Sequence, residues 1–273
     1  MPVPPLSTRP PAASPAGTAR PPEPAARWTA RVRPARGVPR ARVIALAHSG
    51  AGPNALLPLL RRLHPDAEVL GVTLPGRERR FAESCAGLAD DIDGLLARIR
   101  AELAAEPPLP TGYFGHSMGA ALAAALALAD PGGCRKLVLS GHPTLESRAG
   151  RAEDWTEDDL LDVIRLGGGT PAEILADPVI KEHLLTVLRC DLTLGRRLAE
   201  RNAGRPLPVP PTVLGGLDDE LVPPAELDAW AERVPLRRRL YPGGHFYLLD
   251  EANLDAVAAE ITAGLPLPAP DYR

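Results

Sequence analysis

The run Gly115-His116-Ser117-Met118-Gly119 sets a serine between two glycines in G-x-S-x-G spacing. That spacing suits a turn too tight for a side chain at either glycine, with the serine oxygen left exposed. A serine hydroxyl becomes a nucleophile only beside a base, so the chemistry to look for is acyl transfer through Ser117. It would need a histidine and a carboxylate to orient that histidine. Near the end of the chain, Tyr241-Pro242-Gly243-Gly244-His245-Phe246 puts His245 on a glycine loop and outside any apolar pattern, the place expected of a general base. His64 and His183 lie in polar helical surroundings and are expected at the surface. His116 is expected to pack beside Ser117, and His142 is a candidate pocket residue. Between serine and base, Gly215-Gly216-Leu217-Asp218-Asp219-Glu220-Leu221-Val222 offers three carboxylates. The D-x-x-V arrangement selects Asp219, with Val222 packing back beside the loop, and Asp218 is the alternative. A developing oxyanion needs backbone donors. The amide of Met118, opening the next helix, is one candidate; in His48-Ser49-Gly50-Ala51-Gly52 the amide of Ser49 is the second, with Gly50 as the alternative.

These residues need elements to hold them. Apolar runs at 42–48, 68–74, 111–114, 136–140 and 211–215 read as strands, and 236–241 reads as a final strand. Helical spacing appears at 53–63, 88–103, 118–129, 225–233 and 254–263. Strands that alternate with helices imply right-handed crossovers and a mostly parallel sheet covered on both faces. Ser117 then falls between the third strand and its helix, Asp219 after the fifth strand, and His245 after the sixth. The alternation stops over residues 145–207, which carry helical patterns only. Such an insertion is expected as a lid over the C-terminal ends of the strands, where open α/β sheets bind ligands.

Composition bounds the rest. With 31 basic and 34 acidic side chains the net charge is −3, which argues against an electrostatic nucleic-acid binder. No apolar run approaches the ~20 residues that span a bilayer. Three cysteines (Cys85, Cys134, Cys190) lie far apart without CxxC spacing and read as reduced thiols of a cytoplasmic protein. No metal cluster, dinucleotide fingerprint or P-loop is visible, so no cofactor is expected. Residues 1–40 are rich in proline, alanine and arginine and read as a disordered tail without the apolar segment of a signal peptide. The domain is expected over 41–265, with a short tail at 266–273.

Taken in order, further runs add to these: Ala47-His48-Ser49-Gly50-Ala51-Gly52, Leu74-Pro75-Gly76-Arg77-Glu78, Leu166-Gly167-Gly168, Leu188-Arg189-Cys190-Asp191 and Pro242-Gly243-Gly244-His245-Phe246. With the Ser117 turn, they make residues 42–264 resemble the type II thioesterases that accompany polyketide synthases and nonribosomal peptide synthetases. The chain departs from that family in its HSGAG run, where a HAGG-like run is usual, in Cys190, where alanine is common, and in its proline-rich start. The resemblance implies an α/β-hydrolase fold and hydrolysis of acyl groups from the phosphopantetheine thiol of acyl or peptidyl carrier domains. It implies a Ser117–His245–Asp219 triad and no cofactor, and nothing requires more than a monomer. Arg77, Arg79 and Arg80 are expected either to meet the carrier's phosphate or acidic surface, or to be solvated loop arginines. A general carboxylesterase or lipase, an acyltransferase and a catalytically dead binding partner are the competing expectations.

Overall fold

The computed structural model describes residues 26–144, 155–168, 170, 172–231 and 235–268. Residues 1–25 of the expected tail, 145–154 of the expected lid, Arg233 at the end of one expected helix, and 269–273 lie outside the described residues.

Among the described residues one sheet has seven strands: β1 (Thr29–Arg33), β2 (Ala41–Leu46), β3 (Ala67–Val72), β4 (Thr111–His116), β5 (Cys134–Ser140), β6 (Thr212–Gly216) and β7 (Arg237–Tyr241). Their order is β1-β3-β2-β4-β5-β6-β7, with only the β1–β3 pair antiparallel. The helices are α1 (Leu57–Leu60), α2 (Ile92–Ala104), α3 (Met118–Ala129), α4 (Glu157–Gly167), α5 (Ala172–Ala176), α6 (Pro178–Asn202), α7 (Pro224–Asp228) and α8 (Leu254–Thr262). This is a mixed α/β architecture with a mostly parallel sheet and helices on both faces.

The two faces follow from strand alternation, since successive side chains point to opposite sides. Ile44, Leu46, Leu70, Val72 and Leu139 point to the side covered by α2, α3 and the second half of α6. Val43, Ala45, Val69, Phe114 and Val138 point to the other, against α1 and α8. Helix α3 (MGAALAAALALA) is apolar on all sides and buried almost end to end, as a helix wedged between sheet and helices must be. Its small alanines let α6 approach closely.

The sheet corrects the expected tail. Residues 29–33 form an edge strand, so the folded region begins before residue 40. The signal is faint because the edge strand carries arginines, which protect an exposed sheet edge from further pairing. Those arginines are matched from inside: Arg31 bonds to Glu68 at 2.9 Å and to Glu106 at 3.1 Å. Glu102 on α2 clamps the start of the strand, accepting from the amides of Trp28 and Thr29 and from the Thr29 hydroxyl at 2.8–2.9 Å. The Arg80 guanidinium lies 3.7 Å above the Trp28 ring.

The expected lid is also divided. Leu194 and Leu198 of α6 are fully buried with α3, so the last turns of α6 belong to the core. Only α4, α5 and the first half of α6 form a separate roof, joined through Leu160, Leu185 and Leu188. Among the described residues no helix is long and apolar enough to cross a membrane.

Candidate active site

Strand β4 runs directly into α3 through Ser117, whose φ of 55° and ψ of −124° lie in a region that costs a non-glycine residue about 1–3 kcal/mol. The flanking glycines are required by contact. A Cβ on Gly115 would stand 2.1 Å from the Gly119 carbonyl oxygen, and one on Gly119 would stand 2.3 Å from that of Leu46. The turn is fastened by the Ser117 amide donating to the Ser140 carbonyl at 2.8 Å. Ser117 thus stands half-exposed at the N-terminus of a buried helix, whose first amide is that of Met118.

Asp219 follows β6 and is 3% exposed. Its Oδ1 accepts from the amides of Leu221 (3.0 Å) and Val222 (2.8 Å), and its Oδ2 faces Nδ1 of His245 at 2.8 Å. The D-x-x-V spacing acts through the Val222 amide and through the Val222 side chain, which is buried beside the loop. Asp218 does not touch the imidazole. It braces the histidine loop, accepting from the Gly243 amide at 3.2 Å and donating its own amide to the Gly243 carbonyl at 2.9 Å. His245 is itself buried, and its Nε2 makes no hydrogen bond. His245 and Ser117 line the same cavity. The arrangement can hold one tautomer of His245, with Nδ1–H on the carboxylate and Nε2 available as a base.

Behind this pair sits a cluster of neutral histidines. His116 is fully buried, its ring centre 4.8 Å from that of His245, and its Nδ1 lies 3.0 Å from the Ser140 hydroxyl. That hydroxyl is 2.6 Å from the Tyr247 hydroxyl. Burial pushes the His116 pKa well below its ordinary value, and the nearby His245 adds to this. His48 is lowered to about 4, first by burial and then by His245 and Arg77. His142 lines the cavity, with Nδ1–H on the Pro143 carbonyl at 2.6 Å. His183 and His64 are half-buried rather than on the open surface. His183 donates to the Gly76 carbonyl at 2.8 Å, and His64 accepts from the Asp66 amide at 3.1 Å.

The cavity holds about 300 Å³. Ser117, His48 and His245 line it, and Trp155, Val163, Ile164, Ile174, Leu188 and Leu192 of the roof supply apolar walls. It suits a hydrocarbon chain whose polar end meets Ser117.

Two of the three expected surface arginines are corrected here. Arg77 is buried and forms a two-pronged pair with Asp191 of α6, at 2.5 and 2.8 Å. Arg80 is buried against Glu83 and Trp28. Arg79 reaches back to the carbonyls of Arg27 and Trp28. All three tie loops together, Arg77 and Arg80 from buried positions and Arg79 from an exposed one. Gly50 is corrected as well: its amide donates to Asp191 at 2.7 Å, so it is not available to a ligand. Cys85, Cys134 and Cys190 are free thiols. Burial and the neighbouring Cys85 push Cys190 up to about 12, which keeps it protonated and unreactive. Asp191 and its link to the 48–52 loop went unread in the sequence, although the L-R-x-D run marked the position.

Comparison with known proteins places the chain in a family. Residues 41–265 match the model of the thioesterase domain family. A Streptomyces griseus protein named "Probable cadicidin biosynthesis thioesterase" is 35% identical over 251 residues, covering 88% of this chain and 66% of that protein. The chain thus spans just under two thirds of that relative. Thioesterase PikA5 of Streptomyces venezuelae is 31% identical, covering 82% of this chain and 81% of its own. Among solved structures, the type II thioesterase BorB from the borrelidin biosynthetic cluster superposes with a TM-score of 0.65 at 30% identity, over 86% of this chain and 97% of that one. The chain therefore belongs to the thioesterase family, as a thioester hydrolase of the α/β-hydrolase fold.

Proposed function

We propose that this thioesterase releases acyl groups held on the phosphopantetheine thiol of acyl or peptidyl carrier domains, and so edits a polyketide or nonribosomal peptide assembly line. The observation that carries the reading is one constellation. Ser117, at a strained strand-to-helix turn, shares a largely apolar cavity with His245, whose far nitrogen is held by a buried carboxylate. The pathway names of the relatives support the carrier as the source of the substrate.

In this mechanism His245 Nε2 takes the proton of Ser117 as Oγ attacks the thioester carbonyl. The amides of Met118 and Ser49 receive the oxyanion. The carbon–sulfur bond then breaks, sulfur leaves with the proton from His245, and the acyl group stays on Ser117. A thiol of pKa ~8.5 is a good leaving group, so little acid assistance is needed. Water, deprotonated by the same Nε2, attacks the acyl ester. The carboxylic acid leaves and Ser117 recovers its proton. Asp219 stays ionised throughout, fixing the tautomer and stabilising the imidazolium. The protein acts on its carrier as a cytoplasmic monomer.

The test compares deacylation of a propionyl-loaded carrier protein with cleavage of a p-nitrophenyl ester. Rapid release from the carrier is expected. Ester cleavage with an untouched carrier would point to a general esterase, and transfer to a second carrier thiol would point to an acyltransferase.

A further inference from the structure

Three segments that are distant in sequence meet behind the loop after β2. His48 to Ala51 form a turn closed by the Ala51 amide on the His48 carbonyl at 3.2 Å, with Gly50 at φ +82° in its third position. A positive φ there is the signature of a type II turn, and neither central amide takes part in the closing bond. The two central amides are those of Ser49 and Gly50. The Ser49 amide belongs to the His48–Ser49 peptide and the Gly50 amide to the peptide that follows, so a hold on the Gly50 amide anchors the turn next to the Ser49 amide. In this structure the turn is held: Oδ2 of Asp191, fully buried on α6, accepts the Gly50 amide at 2.7 Å.

A bare carboxylate so close to a forming oxyanion would oppose it. Arg77 neutralises that charge, binding both oxygens of Asp191 while also donating to the carbonyls of Pro75 (3.1 Å) and Ala51 (3.4 Å). Leu184, about two turns earlier on the same face of α6, lies 3.5 Å from where a Gly50 Cβ would stand. Asp191 also sits between Leu188 and Leu192, which line the cavity.

We propose that Asp191 is a positioning residue. From the roof helix it anchors the 48–51 turn at the Gly50 amide and so keeps the adjoining Ser49 amide turned toward the developing oxyanion, with Arg77 as its counter-charge. This rests on the acyl-enzyme mechanism above. The roof and the oxyanion loop are then one mechanical unit.

The test uses Asp191→Asn, which keeps the size and one acceptor oxygen. Two probes are compared: an alkyl trifluoromethyl ketone, which adds to Ser117 and places an oxyanion in the site, and the matching thioether, which lacks the carbonyl. Affinity for the ketone should fall by about tenfold or more, the scale of losing one oxyanion donor, while the thioether is unaffected. On a propionyl thioester kcat should fall with KM nearly constant. Equal loss of both probes, or loss of neither, overturns the proposal and makes the pair a purely structural one. If the variant does not fold, amide hydrogen exchange followed by NMR on the unaltered protein decides. The Gly50 amide should be strongly protected, and free exchange overturns the proposal. The ketone traps any serine acyl hydrolase, so a differential result stands whichever acyl donor is natural. Failure of the unaltered protein to bind it would instead remove the acyl-enzyme mechanism, and this inference with it.

Discussion

Ser117 holds a backbone conformation that few residues tolerate, and the bond from Asp219 to His245 gives that strain a use. Replacing Asp219 by Asn leaves the shape intact but allows the wrong tautomer of His245. We expect kcat to fall by on the order of 10³–10⁴ with KM little changed, in steady-state assays on a soluble acyl thioester. A loss below tenfold would count against the assigned role of Asp219. The neutral histidines make a separate prediction. His48 falls from an ordinary 6.5 to about 4, so below pH 6.5 the unfolded chain binds a proton that the folded chain refuses. Stability is therefore complete above pH 6.5 and declines as pH falls toward 4, by about 3 kcal/mol for this group alone. Buried His116 acts in the same direction. Urea melts at pH 4.5 and 7 should show a smaller acid loss for His48→Gln than for the unaltered protein, and equal losses would contradict the assignment. At this scale the sequence was informative wherever local chain geometry forces a residue type, as at Gly115, Gly119 and the Val222 turn. It marked Asp191 within a run but said nothing of its partners, Arg77 and Gly50, which lie 114 and 141 residues away.

Elements transmit these constraints through backbone contacts. Gly119 lets α3 lie against the end of β2, where a methyl group would meet the Leu46 and Ala47 carbonyls at 2.3 and 2.5 Å. Gly119→Ala should therefore destabilise strongly and displace Ser117, seen as a lowered Tm together with lost activity. The Arg77–Asp191 pair makes a second case. Arg77→Met strands a buried carboxylate, for an expected cost of about 3–5 kcal/mol in denaturant melts. Arg77→Met with Asp191→Leu should recover much of that cost without recovering activity. Five strands were legible as short apolar runs because their side chains are mostly buried on both faces, and β7, at the other edge with Arg237–Arg239 exposed, was legible only as the last step of the alternation. The edge strand β1 was not, since one side faces solvent and its arginines resemble those of the preceding segment. Helix α6 was legible as a helix but not as a member of two layers. Its periodicity reports an apolar face without saying what covers it.

For the whole molecule, the first strand and the roof are the two additions to a sheet that already places Ser117, Asp219 and His245 at the ends of its strands. Glu102 fastens β1 through three hydrogen bonds, so Glu102→Ala should cost about 2 kcal/mol and lower the Tm while sparing kcat. The roof sets the length of the cavity. Filling it with Val163→Trp should depress turnover of long acyl chains and spare acetyl and propionyl groups, read as a changed ratio of kcat/KM across a chain-length series. Fold and chemistry were readable from one sequence because the strand-to-helix turn, the acid loop and the histidine loop each have a local signature in the right order. The walls of the cavity were not, because α4, α5 and α6 meet only in the folded molecule. The central claim is that the acyl group passes through Ser117. Its most direct measurement is mass spectrometry after rapid mixing and acid quench with a propionyl-loaded carrier. A propionyl increment on the peptide containing Ser117, absent from Ser117→Ala, is the predicted result, and turnover with Ser117 unmodified at every time point would contradict it.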